Sequence, residues 1–164
     1  MKRLLALVLG LLLAAPALAF TGRIVDLGSA SISAAVTNQV ITSGVSAQGV
    51  AIAYVDRLEG LNAITFQANF VWGAGGTATK ADLETSIDQG SSWLVICRLA
   101  FTTASAAKVA TVSGLTPKTT AAAVSTPSDD SCNDGVIGDR LRVRITTTGT
   151  YSGVTAISAR AALR

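Results

Sequence analysis

The stretch Ala63-Ile64-Thr65-Phe66-Gln67-Ala68-Asn69-Phe70-Val71-Trp72 decides the fold. Ile64, Phe66, Ala68, Phe70 and Trp72 alternate with Thr65, Gln67 and Asn69, the period of a strand with one buried face. Gly73-Ala74-Gly75-Gly76 then turns the chain, since glycine tolerates the positive φ that tight turns demand. Thr77 to Ile87 leads into the polar Asp88-Gln89-Gly90-Ser91-Ser92, and Trp93 to Phe101 returns. This pattern predicts a β-hairpin. Its return strand is expected to set Trp93, Val95, Cys97, Leu99 and Phe101 on one face.

Outward from this hairpin the same grammar repeats. Short β-prone runs occur at Arg23 to Leu27, Gln39 to Thr42, Val50 to Val55 and Lys108 to Val112. Arg140 to Thr147 and Val154 to Ala162 suggest a second hairpin across Thr148-Gly149-Thr150-Tyr151-Ser152-Gly153. Residues 115–138 form a long Thr-, Ala- and Ser-rich excursion with one strand expected near Ala121 to Val124. The Ala-rich pieces at 104–107 and 121–123 suit short helical turns. Beyond residue 20 no long stretch carries a helical apolar period, and no 20–50-residue repeat points to a solenoid or propeller. The expectation is an all-β chain: one β-sandwich or jelly-roll-like domain of about eight strands at 20–164.

Residues 1–19, MKRLLALVLGLLLAAPALA, read as a signal-peptide-like helical segment ending at Ala17-Leu18-Ala19, with a new N-terminus expected at Phe20. The apolar run is short for a membrane span, so no stable span is expected in the mature chain. Loss of Lys2 and Arg3 reduces 13 basic residues to 11, against 10 acidic ones. That balance gives no global charge for coating nucleic acid, and no specific nucleic-acid partner is expected. Export would allow Cys97 and Cys132 to pair. The alternative is a buried Cys97 and an unrelated loop thiol.

The chain of 164 residues contains no histidine, which excludes Ser-His-Asp and Cys-His nucleophile activation. No G-x-S-x-G elbow occurs, and no S-x-x-K pair is expected. No cofactor, metal or catalytic residue is assigned, and a non-enzymatic role is expected. Ser86, Asp88, Gly90 and Trp93 fit the S-x-D-x-G-x-x-W pattern called an Asp-box, read as a hairpin lock in which Asp88 accepts turn amides. The competing role for Trp93 is carbohydrate contact. Asp129 to Gly135 concentrates oxygen donors but lacks EF-hand spacing, and reads as a solvated loop. Arg140, Arg142 and Arg144 alternate with Leu141, Val143 and Ile145, placing three guanidinium groups on one face. Arg160 and Arg164, on the expected partner strand, would extend this stripe. The stripe is either a contact surface for acidic subunits or phosphates or a solvated face, and on either reading its replacement is expected to leave the fold intact.

Three stretches together resemble uncharacterised structural proteins of tailed bacteriophages and prophages. They are Trp72-Gly73-Ala74-Gly75-Gly76-Thr77, then Thr85 to Gly90 with Ser91-Ser92-Trp93, then Gly138-Asp139-Arg140-Leu141-Arg142-Val143 leading to Thr148-Gly149-Thr150-Tyr151-Ser152-Gly153. The likeness covers 64–164. It implies a β-sandwich virion component, either head-decoration or tail-associated, which contacts other virion subunits and forms homo-oligomers. It supplies no catalytic residues. The signal-like segment departs from that expectation and suits a different role: a secreted, periplasmic or cell-surface β-sandwich module binding glycan or protein.

Overall fold

The computed structural model describes residues 22–116 and 125–164. The signal-like segment and the strand expected at Ala121 to Val124 lie outside the described residues. In chain order the strands are β1 (Arg23–Ser31), β2 (Gln39–Val40), β3 (Ala63–Val71), β4 (Ala74–Gly75), β5 (Ala78–Ser86), β6 (Leu94–Phe101), β7 (Ala106–Ser113), β8 (Ser131–Cys132), β9 (Arg140–Thr148), β10 (Tyr151–Ser152) and β11 (Ala156–Leu163). The chain is all-β, with antiparallel pairing throughout. One sheet runs β1-β11-β3-β7, a second runs β2-β9-β5-β6-β8, and β4 pairs with β10.

The alternation that sets the register is visible in burial. Ile64, Phe66, Ala68 and Phe70 of β3 lie inward beside Ile157, Ala159, Ala161 and Leu163 of β11. From the second sheet come Ala81 and Leu83 of β5, Leu99 and Phe101 of β6, and Leu141, Val143 and Ile145 of β9. Both sets belong to one apolar cluster. Phe70 and Phe101, one from each sheet, meet at 5.4 Å between ring centroids. Each such aromatic removed from water contributes about 2–3 kcal/mol, which makes this cluster the main stabilising term.

Two turns carry the chain between the sheets, and they lie side by side. Gly76 and Thr77 donate to the carbonyls of Thr150 and Thr148 at 2.8 and 2.9 Å. Tyr151 is buried there; its hydroxyl donates to the Ala78 carbonyl at 2.6 Å and sits 3.0 Å from Thr79 Oγ1. Gly76 has φ +61°, and a Cβ added to it would enter the Tyr151 ring. Only glycine suits both demands.

This arrangement corrects several expectations. β9 and β11 do not form a hairpin: β9 pairs with β5 and β11 with β1 and β3. The turn after Thr148 changes sheets, because the best partners of both strands are distant in sequence. Val50 to Val55 is not a strand; it contributes only the isolated bridges Val45↔Ala51 and Val55↔Leu141. Only the end of the segment meets a sheet, where Val55 pairs with Leu141 and packs against the core, while Val50 is left 65% exposed. The Ala-rich 104–107 stretch gives no helical turn but enters β7 at Ala106.

The first hairpin, β5–β6, forms as expected but with a bulge. Leu83 pairs with Cys97 while Glu84 pairs with Val95, so Ile96 is the extra residue. One inserted residue reverses the facing of everything beyond it. Cys97, Leu99 and Phe101 keep to the core. Val95 and Trp93 pass to the opposite face instead of sharing it with them.

Candidate functional site

On the outer face of the second sheet, alternation in β5 aligns Lys80, Asp82 and Glu84. The registers Asp82↔Arg144, Glu84↔Arg142 and Asp82↔Arg98 place arginines of β9 and β6 across from the carboxylates. Arg98 grips Asp82 with two hydrogen bonds, Nε to Oδ1 at 2.7 Å and Nη2 to Oδ2 at 2.8 Å. Arg142 Nε donates to Glu84 Oε2 at 2.6 Å. Arg144 lies between the two acids, its Nη2 3.4 Å from Asp82 and its Nε 3.2 Å from Glu84. The latter contact is an ion pair without aligned hydrogen-bond geometry.

The result is a ladder Arg98–Asp82–Arg144–Glu84–Arg142, three cations on two anions. Asp82 and Glu84 are only 2% exposed. A carboxylate so buried costs several kcal/mol unless paired. The arginine side chains are 20–22% exposed, their outer edges still reaching water. Hydrogen bonding to Asp82, opposed by burial, raises the pKa of Arg98 above its usual value. The stripe therefore faces outward as alternation requires, but it is not a freely solvated face. Arg142 and Arg144 are the counterions of buried acids, so their replacement is expected to destabilise the monomer.

Arg160 is a further correction. It lies on β11, in the other sheet, across from Asp26 and Gln67. Neither it nor Arg164, which follows β11, can extend a stripe on β9.

The Asp-box-like hairpin end abuts the ladder. Ser86 Oγ donates to Asp88 Oδ1 at 2.8 Å and accepts the Gly90 amide at 2.7 Å. Asp88 accepts the Ser92 amide at 2.8 Å and its hydroxyl at 2.6 Å. These Ser92 bonds, joined by that from Ser86, hold the Asp88 pKa down to about 2. Gly90 takes φ +91°, and Trp93 Nε1 donates to its carbonyl at 3.1 Å. The Trp93 ring carries the Arg142 guanidinium at 4.0 Å, while Arg140 lies 4.7 Å over Tyr54. Tyr54 and Trp93 themselves sit 6.3 Å apart. The lock thus doubles as the end stop of the ladder. Tyr54, Asp82, Glu84 and Arg98 are site residues that sequence reasoning missed; the Lys-x-Asp-x-Glu alternation of β5 was the available signal for the two acids.

Cys97 and Cys132 pair directly across β6 and β8 and are disulfide-bonded. The acidic loop that follows β7 is used internally. Asp129 meets Lys80 at 2.8 Å, and Asp130 meets Lys108 at 2.6 Å and accepts the Ala100 amide. Burial opposes ionisation of Asp130, but the Lys108 hydrogen bond and charge and the Ala100 amide outweigh it and lower its pKa. Asp134 accepts the Ser113 amide at 2.7 Å. Ser105-Ala106-Ala107-Lys108 has the S-x-x-K spacing of some acyl enzymes, which corrects the expectation that no such pair is present. Here Ser105 Oγ accepts the Trp72 amide while Lys108 turns to Asp130, so the two do not form a nucleophile–base pair.

Among the described residues no helix is long and apolar enough to cross a membrane. Comparison with protein-family models, curated proteins and solved structures found no match.

Proposed function

We propose that the two sheets form a jelly-roll β-sandwich and that the chain is a non-enzymatic structural subunit of a bacteriophage particle. It would work by contact with neighbouring subunits as a head-decoration or tail-associated component. Strand order carries the reading. The two-residue pieces β4, β8 and β10 can be set aside, while β2 is prolonged by the bond from Ile41 N to the Val143 carbonyl. Renumbered in chain order, the remaining strands run 1-8-3-6 in one sheet and 2-7-4-5 in the other. That is the winding of a double Greek key, an architecture used by viral capsid domains and by lectins.

The capsid-like use is preferred because the resemblance of the ordered motifs is to virion proteins, and because the ladder's acids and arginines mostly satisfy one another. Tyr54, 41% exposed beside Trp93, favours a second reading, a secreted or periplasmic module that stacks a sugar on its aromatics. Gradient sedimentation tests the choice. The protein should co-sediment with particles released from a culture carrying the gene. Recovery only from the particle-free medium or periplasm, with retention on a glycan surface, would favour the second reading.

A further inference from the structure

Among the described residues the β1-β11-β3-β7 sheet has two open edges. Among the described residues no strand pairs with the outer edge of β7, whose first external backbone contact comes at Ser113, where Gly135 donates to its carbonyl. Among the described residues, β1 is covered on its outer side at Gly28 and Ser29, which lie against Thr42, leaving Arg23 to Leu27 open on that side. An open edge presents unpaired N–H and C=O groups that another strand can take up. Natural edges are commonly guarded by an outward lysine, a proline or a charge. β7 has no such guard, since its one lysine is drawn to Asp130 and the Ala100 carbonyl.

We propose that the β7 edge of one copy takes up the β1 edge of a second copy, joining their sheets head to tail. The occupant must be an extended strand with a free edge, and the same sheet of this chain supplies one. Its direction fits: strands alternate across β1-β11-β3-β7, so β7 and β1 run oppositely and a second copy translated sideways meets β7 antiparallel. Side-chain facing then limits the register, because cross-strand partners share a face. Ile24 and Asp26 face outward on β1, as Ala107, Val109 and Thr111 do on β7. The register that sets Ile24 opposite Val109 joins the two large outward aliphatic side chains of these edges, 77% and 60% exposed. It also sets Asp26 opposite Ala107, so no like charges meet. Such a contact is heterologous, and its repetition gives a ring or a filament.

This inference rests on the proposed role as an assembling subunit and names the contact. The test uses the full chain and two edge variants, Ile24→Lys and Val109→Lys, followed by analytical ultracentrifugation over a concentration series. Wild type should form assemblies beyond the dimer, and each variant alone should remain monomeric with an unchanged circular-dichroism melt. Mixed one to one, the variants should give a dimer and nothing larger, because each retains one intact edge. Monomeric wild type, or an Ile24→Lys variant that still pairs through β7, would overturn the contact. Particles that incorporate both variants at wild-type levels would also overturn it while leaving the structural role standing.

Discussion

Asp82→Ala is the most informative perturbation of the ladder. Asp82 is 2% exposed and receives both Arg98 hydrogen bonds and the weaker Arg144 contact. Its removal leaves Arg98 without a carboxylate and Arg144 with Glu84 alone. Breaking one partner of a buried charge pair costs about 3–5 kcal/mol. The guanidinium edges still reach water, so the lower end, about 3 kcal/mol, is expected, with a melting temperature lower by roughly 10 °C. Asp82→Asn, which keeps the shape and an acceptor, should cost about 2 kcal/mol as charge-assisted bonds become neutral ones. The double variant Asp82→Leu/Arg98→Met should recover most of the loss, because apolar replacements of a buried pair are often neutral. Urea denaturation with the disulfide intact measures all three, provided the slope with denaturant stays constant. A change within about 0.5 kcal/mol for Asp82→Ala, the range of ordinary surface substitutions, would refute the ladder as a structural element.

Asp88 should impose an acid-side slope on stability. Its folded pKa of about 2 lies below the ordinary 3.8, so its contribution is complete above pH 4 and fades as the pH falls toward 2; Asp88→Asn should flatten urea midpoints across that window. Reduction of Cys97–Cys132, which closes a sequence separation of 35, should lower stability by about 4 kcal/mol in the chain-entropy account, read as a shift in urea midpoint with reductant. Tyr151→Phe should cost about 1–2 kcal/mol in the same assay, because Ala78 O and Thr79 Oγ1 lose their buried partner.

Local alternation was enough to find β3, the β5–β6 hairpin and the lock at Ser86 to Trp93, since each depends on neighbours along the chain. The non-local pairings were not legible. That β9 lies beside β5, and β11 between β1 and β3, is set by matching whole faces across the core. No pair of short strands announces that match. The arginine stripe shows the consequence. Arg142 and Arg144 were visible on one face of β9, and Asp82 and Glu84 alternate just as plainly on β5. Only the register Asp82↔Arg144 turns the two patterns into one ladder. The bulge at Ile96 was likewise hidden, because an inserted residue changes facing without changing composition. Val50 to Val55 has the apolar content of a strand, but only its end meets a sheet, where Val55 bridges Leu141.

The most direct measurement of the central claim is the copy number of this protein in purified particles, counted by quantitative mass spectrometry against the other particle proteins. A structural subunit predicts a fixed copy number per particle, unchanged between preparations and after high-salt washing. Trace amounts that vary with the preparation, with the bulk of the protein found free outside the cells, would contradict the account.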